Sequence, residues 1–329
     1  MLEIEKTKST QAELLRLKNY INGEIIGQDN LVERMLIALL ADGHILVEGA
    51  PGLAKTRAVK ILSKGIQADF HRVQFTPDLL PADLTGTEIF RPQQGSFEFQ
   101  RGPLFHNLIL ADEINRSPAK VQAALLEAMA ERQITVGQAT YALPELFMVM
   151  ATQNPIEQEG TYPLPEAQLD RFLLHIKVDY PNAAHEKTIL QLVRAEAKKQ
   201  STKQTVPFEP LSQSVLFTAR AEILDIYMAE AIEDYLLQII LATRNPSAYG
   251  QDLATWLQYG ASPRASIALD SCARARAWLN QRDFVDPSDI QALVFDVLRH
   301  RLILSYEAEA QGITTDRVIK ELIARIAVP

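Results

Sequence analysis

The stretch that most constrains the fold of this chain is residues 45–56, Ile-Leu-Val-Glu-Gly-Ala-Pro-Gly-Leu-Ala-Lys-Thr. Its first three residues form a short apolar run, which is typical of a buried parallel strand. A turn rich in glycine and proline follows, and beyond Lys55-Thr56 apolar residues recur at helical spacing. A strand, a glycine-rich loop, Lys-Thr and a helix form a P-loop, in which backbone N–H groups and the helix N-terminus attract phosphate.

The loop predicts a site for ATP and Mg²⁺. The expected nucleotide contacts are Gly49, Ala50, Pro51, Gly52, Leu53, Ala54, Lys55 and Thr56. Lys55 would reach the terminal phosphates, and the hydroxyl of Thr56 would bind the Mg²⁺ ion. Ala54 stands where the usual pattern, G-x-x-x-x-G-K-[ST], has its last glycine. We expect the alanine to be tolerated, because it keeps the backbone N–H and right-handed geometry is allowed at a helix start.

A second apolar strand, within 107–114, ends in the acid pair Asp112-Glu113. Asp112 at the strand tip is expected to hold the Mg²⁺ shell, and Glu113 to polarise the water that attacks the γ-phosphate. Two acids after an apolar run are common by chance, but the upstream P-loop makes this pair specific. Arg116 follows closely, either as a surface cation or as a contact to a neighbouring subunit.

Two more polar residues follow predicted strands or helices of the same region. Asn154 comes just after the apolar run 146–152, where an amide could hold the attacking water or a γ-phosphate oxygen. The alternative is an asparagine in a turn before a proline. Arg171 lies between a short helix and the strand predicted over 173–180. A guanidinium there is either a surface ion-pair partner or, in ring ATPases, a finger that reaches the neighbour's site.

Two further residues are candidate nucleotide contacts. Ile26 lies between helices predicted over 9–22 and 29–41, in a segment that walls the base in many nucleotide-binding ATPases. Arg264 follows Ser262-Pro263 and would lie in the first turn of a helix, where a cation opposes the helix dipole. This conflict indicates either an external anion or a nearby carboxylate.

The order of predicted elements indicates two domains, at 1–180 and 181–329. Strands and helices alternate in the first, which predicts an α/β core with a five-stranded parallel sheet. Two hairpins interrupt it, 87–90 with 97–100 and 134–136 with 140–143. The second is predicted to be all-α, with no strand, and its helices are expected at 183–200, 211–226, 230–244, 263–280, 287–304 and 314–327.

Composition argues against several other classes of protein. The net charge of −8 and the pI of about 5.4 disfavour broad non-specific nucleic-acid binding, which needs a basic surface. The N-terminal residues contain no apolar signal core, and no stretch approaches the roughly 20 apolar residues of a membrane span. The single cysteine, Cys272, excludes an intramolecular disulfide and suits a reducing cytoplasm.

Together these motifs resemble the AAA+ ATPases, and within them the MoxR family, over nearly the whole chain. The motifs are Gly-Ala-Pro-Gly-Leu-Ala-Lys-Thr (49–56), Ala-Asp-Glu-Ile-Asn-Arg (111–116), Ala-Thr-Gln-Asn-Pro (151–155), Leu-Asp-Arg-Phe (169–172), Ser-Pro-Arg (262–264) and Asp-Val-Leu-Arg-His-Arg (296–301). The alanine before the lysine agrees with this family. By resemblance, Asn154 is the sensor-1 residue, Arg171 the arginine finger and Arg264 sensor 2, acting on its own subunit's nucleotide or on a neighbour's.

The resemblance also implies an architecture and a role. It implies an AAA+ core whose hairpins are the helix-2 and pre-sensor-1 inserts, a helical lid, and assembly into a ring, expected to be a hexamer. The implied function is chaperone-like remodelling of partner complexes together with a von Willebrand factor A domain protein. A chelatase-type motor for metal insertion and a nucleic-acid or transcription-associated motor are the alternatives. The Gly-Ala-Phe-Thr-Gly-Ala loop of one class of transcription activators is absent, and an intact Glu113 argues against a switch without turnover.

Overall fold

The structure is a computed structural model that describes residues 2–50, 52–93, 95–155, 160–199 and 208–329. We call the part before residue 181 the core and the part after residue 180 the lid. The core elements are α1 (Leu2–Glu24), α2 (Asp29–Leu40), β1 (Ile45–Glu48), α3 (Lys55–Gly65), β2 (Phe70–Gln74), α4 (Pro81–Thr85), β3 (Gly86–Arg91), β4 (Ser96–Arg101), β5 (Leu108–Asp112), α5 (Ala119–Glu131), β6 (Gln133–Val136), β7 (Ala139–Ala142), β8 (Met148–Gln153), α6 (Glu166–Leu169) and β9 (Leu174–Lys177). The lid elements are α7 (Ala183–Lys199), α8 (Gln213–Leu224), α9 (Glu230–Arg244), α10 (Gln251–Trp256), β10 (Leu257–Tyr259), α11 (Pro263–Leu279), α12 (Pro287–Leu298), β11 (Ile303–Leu304), α13 (Tyr306–Ala310) and α14 (Thr315–Ala324).

A parallel sheet of five strands, in the order β2-β5-β8-β1-β9, forms the centre of the core, as predicted. The three middle strands are buried and mainly apolar, as expected when both faces of a sheet are covered, and each ends in a polar residue. The register pairs Gln74 with Asp112 and Glu48 with Gln153, so the carboxyl ends of these strands meet at one edge. Open α/β sheets bind their ligands at this edge.

The two predicted hairpins are present as the antiparallel pairs β3–β4 and β6–β7. They touch each other through aromatic side chains: the rings of Phe99 and Tyr141 stack with their centroids 4.2 Å apart. The two hairpins therefore pack against each other.

The lid is helical, as expected, with one addition. Strands β10 and β11 form a short antiparallel ribbon, although no strand was predicted beyond residue 180. The helix expected over 287–304 correspondingly ends at Leu298, because Ile303 and Leu304 pair with β10 instead. Strands of two and three residues are too short to leave an alternating pattern in a sequence.

Buried ion pairs join the lid to the core. Arg34 on α2 donates to Asp296 on α12 at 2.8 Å, and Arg301 donates to Asp170 at 2.8 Å. The two guanidinium side chains are 6% and 3% exposed. Charges this buried are tolerated only when they are paired and hydrogen-bonded, so these contacts fix the lid against the core. Among the helices that the structure describes, none has the length and apolarity needed to cross a membrane.

Candidate active site

A cleft of about 340 Å³ opens at the carboxyl edge of the sheet. We call it the phosphate cleft; it is lined by Gly52, Leu53, Ala54, Lys55, Thr56, Arg57, Arg72, Asp112, Glu113, Thr152 and Asn154. The fold therefore brings together the P-loop, both acids and the amide that the sequence singled out. Gly49 and Ala50 lie at the start of the loop, where the N–H of Gly49 donates to the carbonyl of Gln153 at 3.3 Å. Pro51 lies outside the described residues.

The P-loop backbone differs from expectation at Ala54. This residue is the N-cap of α3 and has a left-handed backbone, with φ 59° and ψ 11°, rather than the right-handed geometry that we expected. A left-handed residue with a Cβ costs roughly 1–2 kcal/mol, which explains why most P-loops have glycine here. No side chain caps α3, so its first N–H groups are available to an anion.

The side chain of Lys55 is buried and bonds to the first residue of the P-loop. Its Nζ donates to the carbonyl oxygen of Gly49 at 2.6 Å, and the residue is 8% exposed. Burial lowers the pKa of Lys55, while the carboxylates of Asp112, Glu113 and Glu48 act to raise it. The lysine and the acid pair therefore face the same cleft and interact electrostatically.

Both carboxylate oxygens of Asp112 accept hydrogen bonds. Thr152 Oγ1 donates to Oδ1 at 2.6 Å, and Arg72 donates to Oδ2 from Nε at 3.0 Å and from Nη2 at 2.7 Å. Mg²⁺ prefers oxygen ligands, and the Thr56 hydroxyl lines the same cleft as this carboxylate. This donor set fits the ion that the sequence predicted.

Glu113 is placed by its backbone and by three neighbours. Its backbone is left-handed, with φ 58° and ψ 51°, a strained state that clusters at functional sites in residues other than glycine. Its N–H donates to Thr152 Oγ1 at 2.9 Å, and Gln74 Nε2 donates to its Oε2 at 2.8 Å. Arg116 pairs with the same oxygen at 3.3 Å, and its side chain is 43% exposed, which agrees with the surface cation of the two alternatives.

Sequence reasoning missed Arg72 and Thr152, which line the cleft, and Gln74, which contacts Glu113. Each lies on β2 or β8, within two residues of the carboxyl end of the strand. A polar residue at such a position was the available clue, since these strand ends meet at the binding edge. Asn154, which was predicted, is 7% exposed and lies just beyond β8.

A second, more apolar pocket adjoins the phosphate cleft. Its volume is about 250 Å³, and it shares Gly52, Leu53, Ala54 and Arg57 with the cleft. Ile26, which the sequence analysis expected near the base, lies in its wall. Apolar residues from the N-terminal segment and the lid complete it: Ile25, Pro181, Ile189, Leu192 and Val193. Together the phosphate cleft and this pocket have the size of a small-molecule site. Charged and polar side chains line much of the cleft, whereas the pocket is more apolar.

Arg171 and Arg264 line neither the phosphate cleft nor the apolar pocket beside it. With Arg132, Arg301 and Asp170 they line a groove of about 490 Å³, which we call the arginine groove. Among the described residues, none lines both this groove and the phosphate cleft. Arg171 Nη1 donates to the carbonyl of Leu126 at 2.7 Å.

The position of Arg264 resolves a local conflict seen in the sequence. The residue lies in the first turn of α11, behind the N-cap Ser262, as predicted. Its Nη1 lies 3.7 Å from Asp170 Oδ2, and its side chain is 56% exposed. Ser262 Oγ donates to the same carboxylate at 2.9 Å. The nearby carboxylate considered at the sequence level is therefore present, and it offsets the cation at this helix start.

Two protein-family models match the chain. "ATPase family associated with various cellular activities (AAA)" matches residues 44–174, and "AAA lid domain" matches residues 252–322. The first range contains the phosphate cleft from the P-loop to Asn154 and reaches Arg171. The second contains Arg264 and the lid side of the arginine groove.

Proteins similar over most of their length include "Chaperone MoxR1" of Mycobacterium tuberculosis, which is 46% identical over 93% of this chain and 79% of its own. "Uncharacterized protein YeaC" of Bacillus subtilis is 43% identical over 94% of this chain and 93% of its own. "Protein MoxR" of Paracoccus denitrificans is 32% identical, covering 94% of each chain. A solved structure from Cytophaga hutchinsonii, described as a candidate ATPase, superposes with a TM-score of 0.90 at 44% identity, covering 99% of this chain and 98% of that one.

Proposed function

The chain belongs to the MoxR family of AAA+ ATPases, and from this premise we propose that it hydrolyses ATP in an oligomeric ring to remodel partner protein complexes. The observation that carries the proposal is the convergence of Lys55, Asp112, Glu113 and Asn154 on one cleft beside an uncapped helix N-terminus. The name of the relative "Chaperone MoxR1" supports the remodelling role.

The P-loop and the apolar pocket bind the nucleotide in this proposal. The N–H groups at the start of α3 and the ammonium of Lys55 bind the phosphates, while Ile26 packs against the base. Thr56 and Asp112 provide the oxygens that hold Mg²⁺. An ion held there would supply charge neutralisation at the phosphates.

The acid and the amide at the strand ends perform the chemical step. Glu113 takes a proton from water as the water oxygen bonds to the γ-phosphorus and the bond to the β–γ bridging oxygen breaks. Asn154 holds the attacking water or a γ-phosphate oxygen. Gln74 and Arg116, which contact Glu113, set the direction of its carboxylate.

A neighbouring subunit supplies the remaining cations. Arg171 and Arg264 line the arginine groove. Neither is among the described residues that line the phosphate cleft of their own subunit. We therefore assign both to the neighbour's γ-phosphate, which extends the trans role to Arg264. A hexameric ring, with domains at 1–180 and 181–329, is the assembly we propose, together with a von Willebrand factor A domain partner.

Other motors would share this chemistry. A chelatase-type subunit differs in its partner rather than in its ATP site. A nucleic-acid motor is disfavoured by the net charge of −8.

Two substitutions test the ATPase proposal. Lys55→Ala should weaken ATP binding by about 100-fold or more, because it removes the phosphate-facing charge. Glu113→Gln should bind Mg-ATP like the wild type but hydrolyse it about 10²–10⁴ times more slowly, because an amide cannot accept the proton. Isothermal titration gives the affinities, and phosphate release gives the rates.

The matched control is Lys60→Ala, which removes an exposed lysine from the same helix. It should leave both affinity and rate unchanged. Wild-type affinity in Lys55→Ala would contradict the assignment of the P-loop, and wild-type turnover in Glu113→Gln would place the base elsewhere.

A further inference from the structure

Arg72 pairs with Asp112, the residue expected to hold the Mg²⁺ shell. It lies on β2, lines the phosphate cleft, and donates to Asp112 Oδ2 from both Nε and Nη2. Its side chain is 48% exposed, whereas that of Asp112 is 14% exposed. The guanidinium therefore approaches a mostly buried carboxylate from the open side of the cleft.

The other oxygen of Asp112 is not an equivalent alternative. Thr152 also lines the cleft, but the residue is 1% exposed, and its Oγ1 donates to Oδ1 at 2.6 Å. Oδ1 is therefore held by a buried hydroxyl, whereas Oδ2 is held by the half-exposed guanidinium of Arg72. A metal ion or its bound water reaching Oδ2 must displace Arg72 or share the oxygen with a like charge, which is unfavourable.

The same guanidinium also orients the group that holds Glu113. Arg72 Nη2 donates to Gln74 Oε1 at 2.7 Å, and Gln74 Nε2 donates to Glu113 Oε2 at 2.8 Å. A guanidinium can only donate and a carboxylate can only accept, so the amide of Gln74 has a single favourable orientation between them. Arg72 thus contacts one acid directly and constrains the other through an amide.

We propose that Arg72 competes with Mg²⁺ for Asp112 and thereby raises the Mg²⁺ concentration that the phosphate cleft requires. The inference rests on the proposed role of Asp112 in Mg²⁺ binding. Because Arg72 makes both hydrogen bonds to Oδ2, a Mg²⁺ ion held by Asp112 would have to displace the guanidinium or share this oxygen with it.

The test measures binding rather than turnover. Isothermal titration with a non-hydrolysable ATP analogue is performed in EDTA and at a series of free Mg²⁺ concentrations. We call the Mg²⁺ concentration that gives half of the Mg²⁺-dependent gain in affinity the Mg²⁺ midpoint. Arg72→Gln should lower this midpoint by about three- to fivefold, which is the scale of one half-exposed charge pair. Affinity in EDTA should stay within about twofold of the wild type, because Asp112, not the phosphates, is the partner of Arg72.

Two variants serve as controls. Arg72→Lys keeps the charge but cannot make both contacts, so its Mg²⁺ midpoint should lie between those of the wild type and Arg72→Gln. Arg91→Gln removes an exposed arginine that pairs with Glu98 on the β3–β4 hairpin, and it should leave the midpoint unchanged. Circular dichroism and melting temperature establish that each variant is folded.

Two results would overturn the inference. An unchanged Mg²⁺ midpoint in Arg72→Gln would mean that Arg72 only supports the fold. A comparable loss of affinity in EDTA and in Mg²⁺ would mean that Arg72 binds phosphate. In both cases the wild type still binds nucleotide with a Mg²⁺ dependence, whereas a wild type without that dependence would overturn the proposed function and this inference together.

Discussion

The phosphate cleft and the arginine groove hold their charges in different ways. In the cleft, Arg72 and Asp112 pair at the open side, and the side chain of Arg72 is about half exposed. In the groove, Arg301 is buried, pairs with Asp170 at 2.8 Å and donates to the carbonyl of Phe172 at 2.7 Å. The first pair is open to solvent on the side of the guanidinium, whereas loss of a partner in the second leaves a buried charge without compensation.

The two regions are also incomplete in complementary ways. The cleft combines a phosphate-binding loop, an acid pair and an amide, but neither Arg171 nor Arg264 is among the described residues that line it. The groove presents those arginines beside a rigid ion pair with the lid. This division is expected if the cleft of one subunit meets the groove of the next, and the following predictions test it.

The largest expected effect is that of Arg171→Ala. A cation supplied in trans accelerates nucleotide hydrolysis by about 10³–10⁵-fold in other nucleotidases, so the variant should bind ATP normally and hydrolyse little of it. When it is mixed with Lys55→Ala subunits, some interfaces combine an intact P-loop with an intact Arg171. Phosphate release should then recover in proportion to those interfaces.

A mixture of Lys55→Ala with the Lys55→Ala, Arg171→Ala double variant is the matched control, because it contains no intact P-loop and should stay inactive. Native mass spectrometry establishes that mixed assemblies form. Mixed rings without any recovery would remove support for the trans assignment, and full activity in Arg171→Ala alone would refute it.

Arg264→Ala should have the next largest effect. Its guanidinium is more exposed than its partner Asp170 and is one of two candidate cations, so we expect a loss of about 10²-fold in hydrolysis. Mixing with Lys55→Ala distinguishes the two modes of action. Recovery occurs only if Arg264 acts on the neighbour's nucleotide, since a residue acting in cis needs an intact P-loop on its own subunit.

The sequence predicted those features of the cleft that depend on local pattern. Apolar runs gave the central strands, and the Lys-Thr and Asp-Glu pairs at their ends gave Lys55, Thr56, Asp112 and Glu113. Asp112 and Glu113 lie at the end of β5, and Lys55 and Thr56 open α3 after the loop that follows β1, so parallel pairing of β1 and β5 in one sheet brings them to one edge. The positions of the nucleotide residues therefore followed from the order of elements alone.

Features that depend on register or on distant contacts were not predictable. Arg72 and Gln74 face the acids only because β2 pairs with β5 so that Gln74 lies opposite Asp112. The carboxylate that neutralises Arg264 comes from Asp170, far away in the sequence. The left-handed backbone of Ala54 reflects how the loop closes on α3, which a residue type alone does not determine.

The prediction with the smallest expected effect concerns how the free energy of unfolding falls in acid, and how much buried histidines of the two regions contribute to that fall. His44 lines the arginine groove, is 6% exposed, accepts a hydrogen bond from the N–H of Val149 at 3.0 Å and contacts the carbonyl of Met129 at 3.3 Å. Burial, followed by the charge of Arg132, lowers the pKa of His44 to about 4. His300, which contacts the carbonyl of Phe172, also has a lowered pKa because of burial.

Because the folded-state pKa of His44 lies below its ordinary value, protonation favours the unfolded chain. The contribution of neutral His44 to the free energy of unfolding is complete above about pH 6.5 and is lost as the pH falls towards 4. The loss amounts to about 2 kcal/mol by pH 5. Urea unfolding at pH 7.5 and pH 5 should therefore show a fall in the free energy of unfolding that is about 2 kcal/mol smaller in His44→Gln than in the wild type.

His71→Gln is the matched comparison for the strand that leads to the phosphate cleft. Burial also lowers the pKa of His71, but this residue is only partly buried, so its substitution should change the pH dependence much less. An equal effect of the two substitutions would mean that buried neutral histidines do not distinguish the groove from the cleft. A larger effect of His44→Gln would support a groove whose geometry depends on uncharged buried histidine, next to a cleft whose charges are open to exchange with a ligand.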